Sequence, residues 1–97
     1  MIIGTVIKQP REREDYDIDC RSAFNNDGND FVVSASTIIT PDDGQLAATP
    51  VVADGNTVKV WLQGGTVNAE YTVEVLVTTD AGRVKEDEIL VKIVDFK

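Results

Sequence analysis

Histidine is missing from this 97-residue chain. Its absence removes the commonest general base and the commonest imidazole metal ligand. A single cysteine, Cys20, excludes an internal disulfide, the staple that most small secreted domains carry. Without histidine, Cys20 cannot be a Cys–His nucleophile; it reads as a small half-buried hydrophobe. Aromatic residues amount to only 6%, which leaves little material for a stacking platform. No apolar run approaches the ~20 residues that a membrane helix needs. The opening MIIGTVIKQ lacks the basic start and long apolar core of a signal peptide. Cationic side chains are scarce as well: 9 Lys and Arg stand against 17 Asp and Glu, a formal charge of −8. A surface of that sign repels phosphate, so nucleic acid is not an expected partner, and neither is an anionic membrane.

What the chain does contain favours strands. Hydrophobic residues make up 42%, and Val, Ile and Thr outnumber Leu and Ala, the bias of a pleated, half-buried surface. The length fits one domain, residues 1–97. Residues 2–9 read as a strand that either joins the fold or stands off as an arm, with Gly4 marking a bulge or bend. In 11–19 a charge run turns into alternation, placing Tyr16, Ile18 and Cys20 on one face and Asp15, Asp17 and Asp19 on the other. Further strands are expected over 31–40, 46–54, 56–63, 71–79 and 83–94. Between them lie turn signals at 25–30, 40–44 (a type I turn with Pro41 at its first central position), 54–56 (a primed hairpin turn at Asp54–Gly55) and 79–82. Pro50 puts the fourth strand at an edge or a bulge. That strand has two possible neighbours, the fifth strand across a tight hairpin or the third. In the last strand Ile89, Val91 and Ile93 alternate cleanly, but Val84, Leu90 and Val94 are out of step, which predicts a bulge near Glu86–Glu88.

Residues 64–82, GGTVNAEYTVEVLVTTDAG, are the most specific stretch. A two-glycine corner at Gly64 and Gly65 leads into a strand headed by Tyr71 and closed by a tight turn. Seven strands with turns every ~8–12 residues predict an all-β, seven-stranded antiparallel sandwich of the immunoglobulin or fibronectin III kind. Val73 stands where an antibody domain has its second core cysteine, so the sandwich is one without a disulfide. In such folds a tyrosine at this corner turns its hydroxyl back onto the backbone a few residues upstream. Tyr71, Gly64 and Gly65 are the expected structural corner.

Chemical sites are few. Gly64–Gly65 leads into a strand rather than a helix, so it is no phosphate loop. Carboxylates alternating on a strand face are ordinary solvated surface. Calcium ligands are conceivable among Asp15, Asp17, Asp19 and the 25–30 loop (Asn25, Asn26, Asp27, Asn29, Asp30), but Ala23 falls where an EF-hand needs its first acid. No catalytic residue, cofactor or metal is expected, and the chain reads as non-enzymatic. Acids on the second strand and at Glu70, Glu74, Glu86, Asp87 and Glu88 are expected to resist edge-to-edge pairing. Trp61 sits between Val60 and Leu62. If Val60 points inward, Trp61 points outward, either towards a partner, where aromatics are enriched, or under another segment of the chain. An N-terminal strand with Ile2, Ile3, Val6 and Ile7 offers an edge for strand addition.

Residues 58–94 resemble small proteins encoded among bacteriophage tail genes, the fibre–tail adaptor or immunoglobulin-like virion proteins. The shared features are the strand end Val60–Gly65, then Tyr71-Thr72-Val73, then Thr78-Thr79 followed by Ala81-Gly82-Arg83, and a charged lead-in at Lys85–Glu88. Upstream, Tyr16-Asp17-Ile18-Asp19 and Ser34-Ala35-Ser36 are similar to the family's second and third strands, so the likeness extends over about residues 15–94. Departures are Cys20 where the family tends to carry tryptophan, and Thr37 and Ile38 where its third strand usually has another. The resemblance implies a non-enzymatic structural protein of the tail or neck that joins other virion proteins, is located in the virion and is made in the host cytoplasm, with a homo-oligomer as an option. An immunoglobulin-like adhesion or carbohydrate-binding module is the alternative.

Overall fold

The computed structural model describes residues 2–21, 29–53 and 56–95. The Asp54–Gly55 hairpin turn and the loop residues Ala23, Asn25, Asn26 and Asp27 lie outside the described residues. Seven strands follow in chain order: β1 (Ile2–Lys8), β2 (Arg13–Asp19), β3 (Val32–Thr40), β4 (Leu46–Val52), β5 (Thr57–Gly64), β6 (Glu70–Thr79) and β7 (Val84–Ile93). They form two layers, a four-stranded sheet in the order β1-β7-β6-β3 and a three-stranded sheet in the order β2-β5-β4. This is the disulfide-free, immunoglobulin-like sandwich that the alternation predicts, with Cys20 buried as a free thiol. Every strand pair is antiparallel except one: β1 runs parallel to β7.

Period-two alternation explains the core directly. Val58, Val60 and Leu62 of β5 meet Tyr71, Val73, Val75 and Val77 of β6 and Ile89, Val91 and Ile93 of β7, all buried. Fully burying a Val, Leu or Ile side chain is worth ~1.5–3 kcal/mol, so this interior supplies the main driving force. The two borders of the sandwich are each tied by one side chain. The Thr37 hydroxyl of β3 donates to the Ala48 carbonyl of β4 at 3.0 Å. The Tyr16 hydroxyl of β2 donates to the Ile3 carbonyl of β1, also at 3.0 Å. The Tyr16 ring covers Gly4, where any Cβ would overlap it.

Several details depart from the sequence reading. β4 pairs with β5 from Leu46↔Gly64 to Val52↔Val58, and Pro50 is tolerated because β4 is an edge strand. β7 carries no bulge near Glu86–Glu88: its pairing with β6 runs unshifted from Glu70↔Lys92 to Thr78↔Val84. The mixed apolar phase has another cause. Val84 and Leu90 lie on the outer face, which is itself partly apolar. Register shifts fall instead in β1, between Ile2 and Gly4, and in β3, between Val32 and Ser34. Nor do Glu70, Glu74, Glu86, Asp87 and Glu88 guard an edge, because β6 and β7 are both interior strands of their sheet. Where a type I turn is expected, residues 41–45 form an open loop after a cis Thr40–Pro41 bond.

Candidate functional site

The corner is built from two loops at one end of the sandwich. Gly64 and Gly65 have φ of +81° and +106°, a region that glycine enters without steric cost. A Cβ on Gly64 would strike the Gln45 carbonyl, and one on Gly65 would sit 2.6 Å from the Ile93 side chain. This close approach lets the chain turn into β6 with Tyr71 wholly buried. Its hydroxyl accepts the Thr66 N–H at 2.8 Å, five residues upstream, and donates to Asp43 Oδ2 at 2.6 Å. Asp43 also receives the Thr66 hydroxyl at 2.9 Å and the Gln45 N–H at 2.9 Å. These bonds, Tyr71's first, hold the Asp43 carboxyl below its ordinary range. Asp43 gives no sign of this role in the sequence, where it reads only as a turn residue.

Lys8 completes the same end. It is a strand residue next to exposed Ile7, yet it is fully buried. Its ammonium donates to the carbonyls of Gln9 and Gly64 and, at 3.5 Å, of Pro10. Burial pushes its pKa down, while Glu12 and Glu14 act against that. At the opposite end, Asp30 is buried against the β6–β7 turn. It accepts the Phe31 and Ala81 N–H groups at 2.9 Å each and the Arg83 guanidinium at 2.5 Å. Burial pushes its pKa up, but bonds from Thr79, the Ala81 N–H, Arg83 and the Phe31 N–H outweigh that and bring it to about 2. Asp30 is therefore a structural anchor. Sequence reasoning misses this because its cation lies 53 residues away.

The outer face of the three-stranded sheet carries Trp61, half-buried between Asp15 of β2 and Thr49 of β4. The Arg13 guanidinium stacks over the indole at 4.0 Å, and the Lys59 ammonium lies 5.6 Å from it. Neighbouring acids are paired: Lys59 binds Asp15 at 2.6 Å and Asp17 at 2.9 Å, and Arg21 binds Asp19 at 2.6 Å. The bond to Lys59 lowers the Asp15 pKa, and the bond to Arg21 lowers that of Asp19. Cys20 is buried and its thiol pKa is raised by burial, which suits a core residue rather than a reactive one.

The outer face of the four-stranded sheet differs. Ile2 and Ile7 of β1 are 53% and 58% exposed there, while Ile3 and Val6 pack against the core. Trp61 and these isoleucines thus lie on opposite layers. In the middle of the face Glu74, Glu86 and Glu88 bring their carboxylates within 4.8 Å of one another. Hydrogen bonding to Glu86, and then repulsion from Glu86 and Glu88, raises the Glu74 pKa. Among the described residues these three are close enough to share one ion. The hairpin turn at 79–82 fixes their register and was the signal that could have found them.

Among the described residues no buried side-chain nitrogen or oxygen lacks a hydrogen-bond partner, and no helix is long and apolar enough to cross a membrane. No curated protein matches the chain. One similar solved structure is a 2,6-sialyltransferase from Vibrionaceae Photobacterium sp. JT-ISH-224, crystallised with CMP and lactose. It shares 14% identity at a TM-score of 0.48, over 96% of this chain and 18% of the enzyme. The chain thus spans less than a fifth of that structure, and the likeness is too loose to bear on function. The match to a family model is different in kind. Residues 8–92, from the buried Lys8 through the Tyr71 corner to Lys92 of β7, match that of the podophage GP4 fiber-tail adaptor protein gp77, and the chain belongs to this family.

Proposed function

We propose that the chain is a non-enzymatic structural protein of a phage tail or neck that works by joining other virion proteins. The observation that carries this reading is the family match across residues 8–92. The geometry agrees with it. Side-chain chemistry at the two ends of the sandwich is spent on holding loops: Tyr71 with Asp43, Lys8 with Gly64, Asp30 with Arg83. What remains for function is surface, in particular two outer sheet faces and the open edge of β1.

Binding in such a module comes from apolar area buried between partners and from strand addition at a free edge. Ile2 and Ile7 are the exposed apolar positions of β1 and the contacts we assign to a neighbour. Ile3 and Val6 act from beneath, seating β1 on the core. Trp61, with Arg13 over its ring, is assigned to a second contact on the opposite layer. That stacking also takes a ring face that a sugar would need. Self-association, as virion parts commonly form symmetric rings, belongs to the same reading.

Quantitative mass spectrometry of purified particles from the phage that encodes the chain tests this, together with light scattering of the free protein. The chain should be present at a fixed copy number per particle and should co-purify with tail or fibre proteins when particles are dissociated gently. Its absence from purified particles would overturn the proposal.

A further inference from the structure

Resting on that reading, we infer that β1 pairs edge to edge with the β1 of a second copy of the chain, antiparallel and centred on Thr5, so that two sandwiches share one continuous sheet. The edge strands are β1 and β3 of one layer and β2 and β4 of the other. Three of them are protected against pairing with another chain. β2 is mostly charged, with Arg13, Glu14, Asp15, Asp17 and Asp19. β4 carries Pro50. β3 runs along β4 at the border of the sandwich, with the Thr37 hydroxyl on the Ala48 carbonyl, and contacts it more extensively than β1 contacts β2. β1 has no such protection. Residues 2–7 are uncharged, and Lys8 is buried with its ammonium on the Gln9 and Gly64 carbonyls.

Backbone direction and charge select the occupant. The Val94 N–H donates to the Lys8 carbonyl at 2.9 Å, so Lys8 turns its backbone groups towards β7. Pairing with β7 is unshifted from Gly4 to Lys8, and backbone groups alternate between the two sides of a strand. Thr5 and Ile7 therefore turn theirs away from β7, the row that an edge offers to an added strand. The Ile3 carbonyl agrees, since it takes the Tyr16 hydroxyl from β2. A two-fold axis at Thr5 makes this row self-complementary. Thr5 then faces Thr5 of the second copy, and Gly4 faces its Val6. Cross-strand threonine pairs are favourable, and a contact that uses the same patch on both copies closes at two. The net charge of −8 does not prevent it. Glu88 stands level with Ile2, and antiparallel pairing sends Glu88 of the second copy to the far end of the strand. At ~3.4 Å per residue and ~4.8 Å between strands, the two glutamates lie roughly 25 Å apart, about three Debye lengths in physiological salt.

The test is sedimentation equilibrium of the purified chain and of two variants at the axis, Thr5→Lys and Thr5→Glu, over a concentration series. Thr5 is exposed, and thermal melting of each variant checks folding. The wild type should be a dimer. Each variant sets like charges face to face and should raise the dissociation constant at least about fivefold. Thr5→Lys should do so even though it makes the net charge less negative, a change that would strengthen a contact elsewhere on the surface. An equimolar mixture of the two variants should dimerise again, because Lys then faces Glu. A wild type that stays monomeric throughout, variants that dimerise as tightly as the wild type, or a mixture that stays apart overturns the inference. Residues 2–7 lie outside the family match, which covers 8–92, so a monomeric wild type that is present in purified particles leaves the assembly reading intact. A dimer that is absent from particles would instead remove that reading.

Discussion

Replacing Tyr71 by phenylalanine removes one oxygen and leaves the ring in the core. The lost hydroxyl joins two loops, accepting the Thr66 N–H at 2.8 Å and donating to Asp43 at 2.6 Å. A typical bond of this kind nets ~0.5–1.5 kcal/mol. Asp43 is exposed and keeps Gln45 and Thr66 as donors, so water compensates much of its loss. Thr66 loses the acceptor of its N–H, and the corner loses its tie to the 41–45 loop. The net cost is about 1–2 kcal/mol, which for a domain of this size lowers Tm by roughly 4–16 °C. Thermal and urea unfolding followed by circular dichroism at pH 7 measure it, and the urea slope should be unchanged. A second readout separates the bond from simple packing. Because the Tyr71 hydroxyl is the main cause of Asp43's low pKa, the Asp43 carboxyl should titrate higher in the variant, as followed by NMR. A destabilisation below ~0.5 kcal/mol, the range of ordinary surface changes, together with an unmoved Asp43, would refute the corner argument.

Three further outcomes are expected. Gly65→Ala forces a side chain onto φ +106° and against Ile93, and should cost more than ~1 kcal/mol in the same unfolding assay. Asp30, held at about 2 in the folded protein against ~3.9 for a free aspartate, contributes stability that is complete above about pH 4 and is lost as pH falls towards 2; Asp30→Asn should flatten that part of the acid-unfolding curve. Lys8→Met removes a buried donor from the carbonyls of Gln9 and Gly64 and should destabilise by roughly 1–3 kcal/mol, visible as a lower urea midpoint, whereas an exposed strand lysine would tolerate the change.

How much of this was legible depended on the range of the interaction. Tyr71, Val73, Val75 and Val77 betray β6 because a buried interior strand imposes strict alternation on its own sequence, and Gly64–Gly65 betray the turn because few other residues accept positive φ. The bulge was misplaced for a local reason. Val84 and Leu90 are apolar on the outside of the sheet, and a rule that equates apolar with inward reads them as a shift of phase. Lys8 and Asp30 were hidden for a non-local reason, and the Glu74–Glu86–Glu88 cluster by the register of the hairpin that the 79–82 turn closes. The first two draw their meaning from groups brought close only by folding: the Gly64 carbonyl for Lys8 and Arg83 for Asp30. Ile2 and Ile7 separate from Ile3 and Val6 only once β1 is seen paired with β7, with its register shift at Gly4.

The central claim is that this sandwich joins virion proteins through its sheet surfaces, and a cryo-electron microscopy reconstruction of the intact tail tests it most directly. The account predicts the seven-stranded fold seated between other tail components, with the β1-β7-β6-β3 face against a neighbour through Ile2 and Ile7 of β1. A tail complete without this chain, or one that holds it with that face open to solvent, would contradict the account.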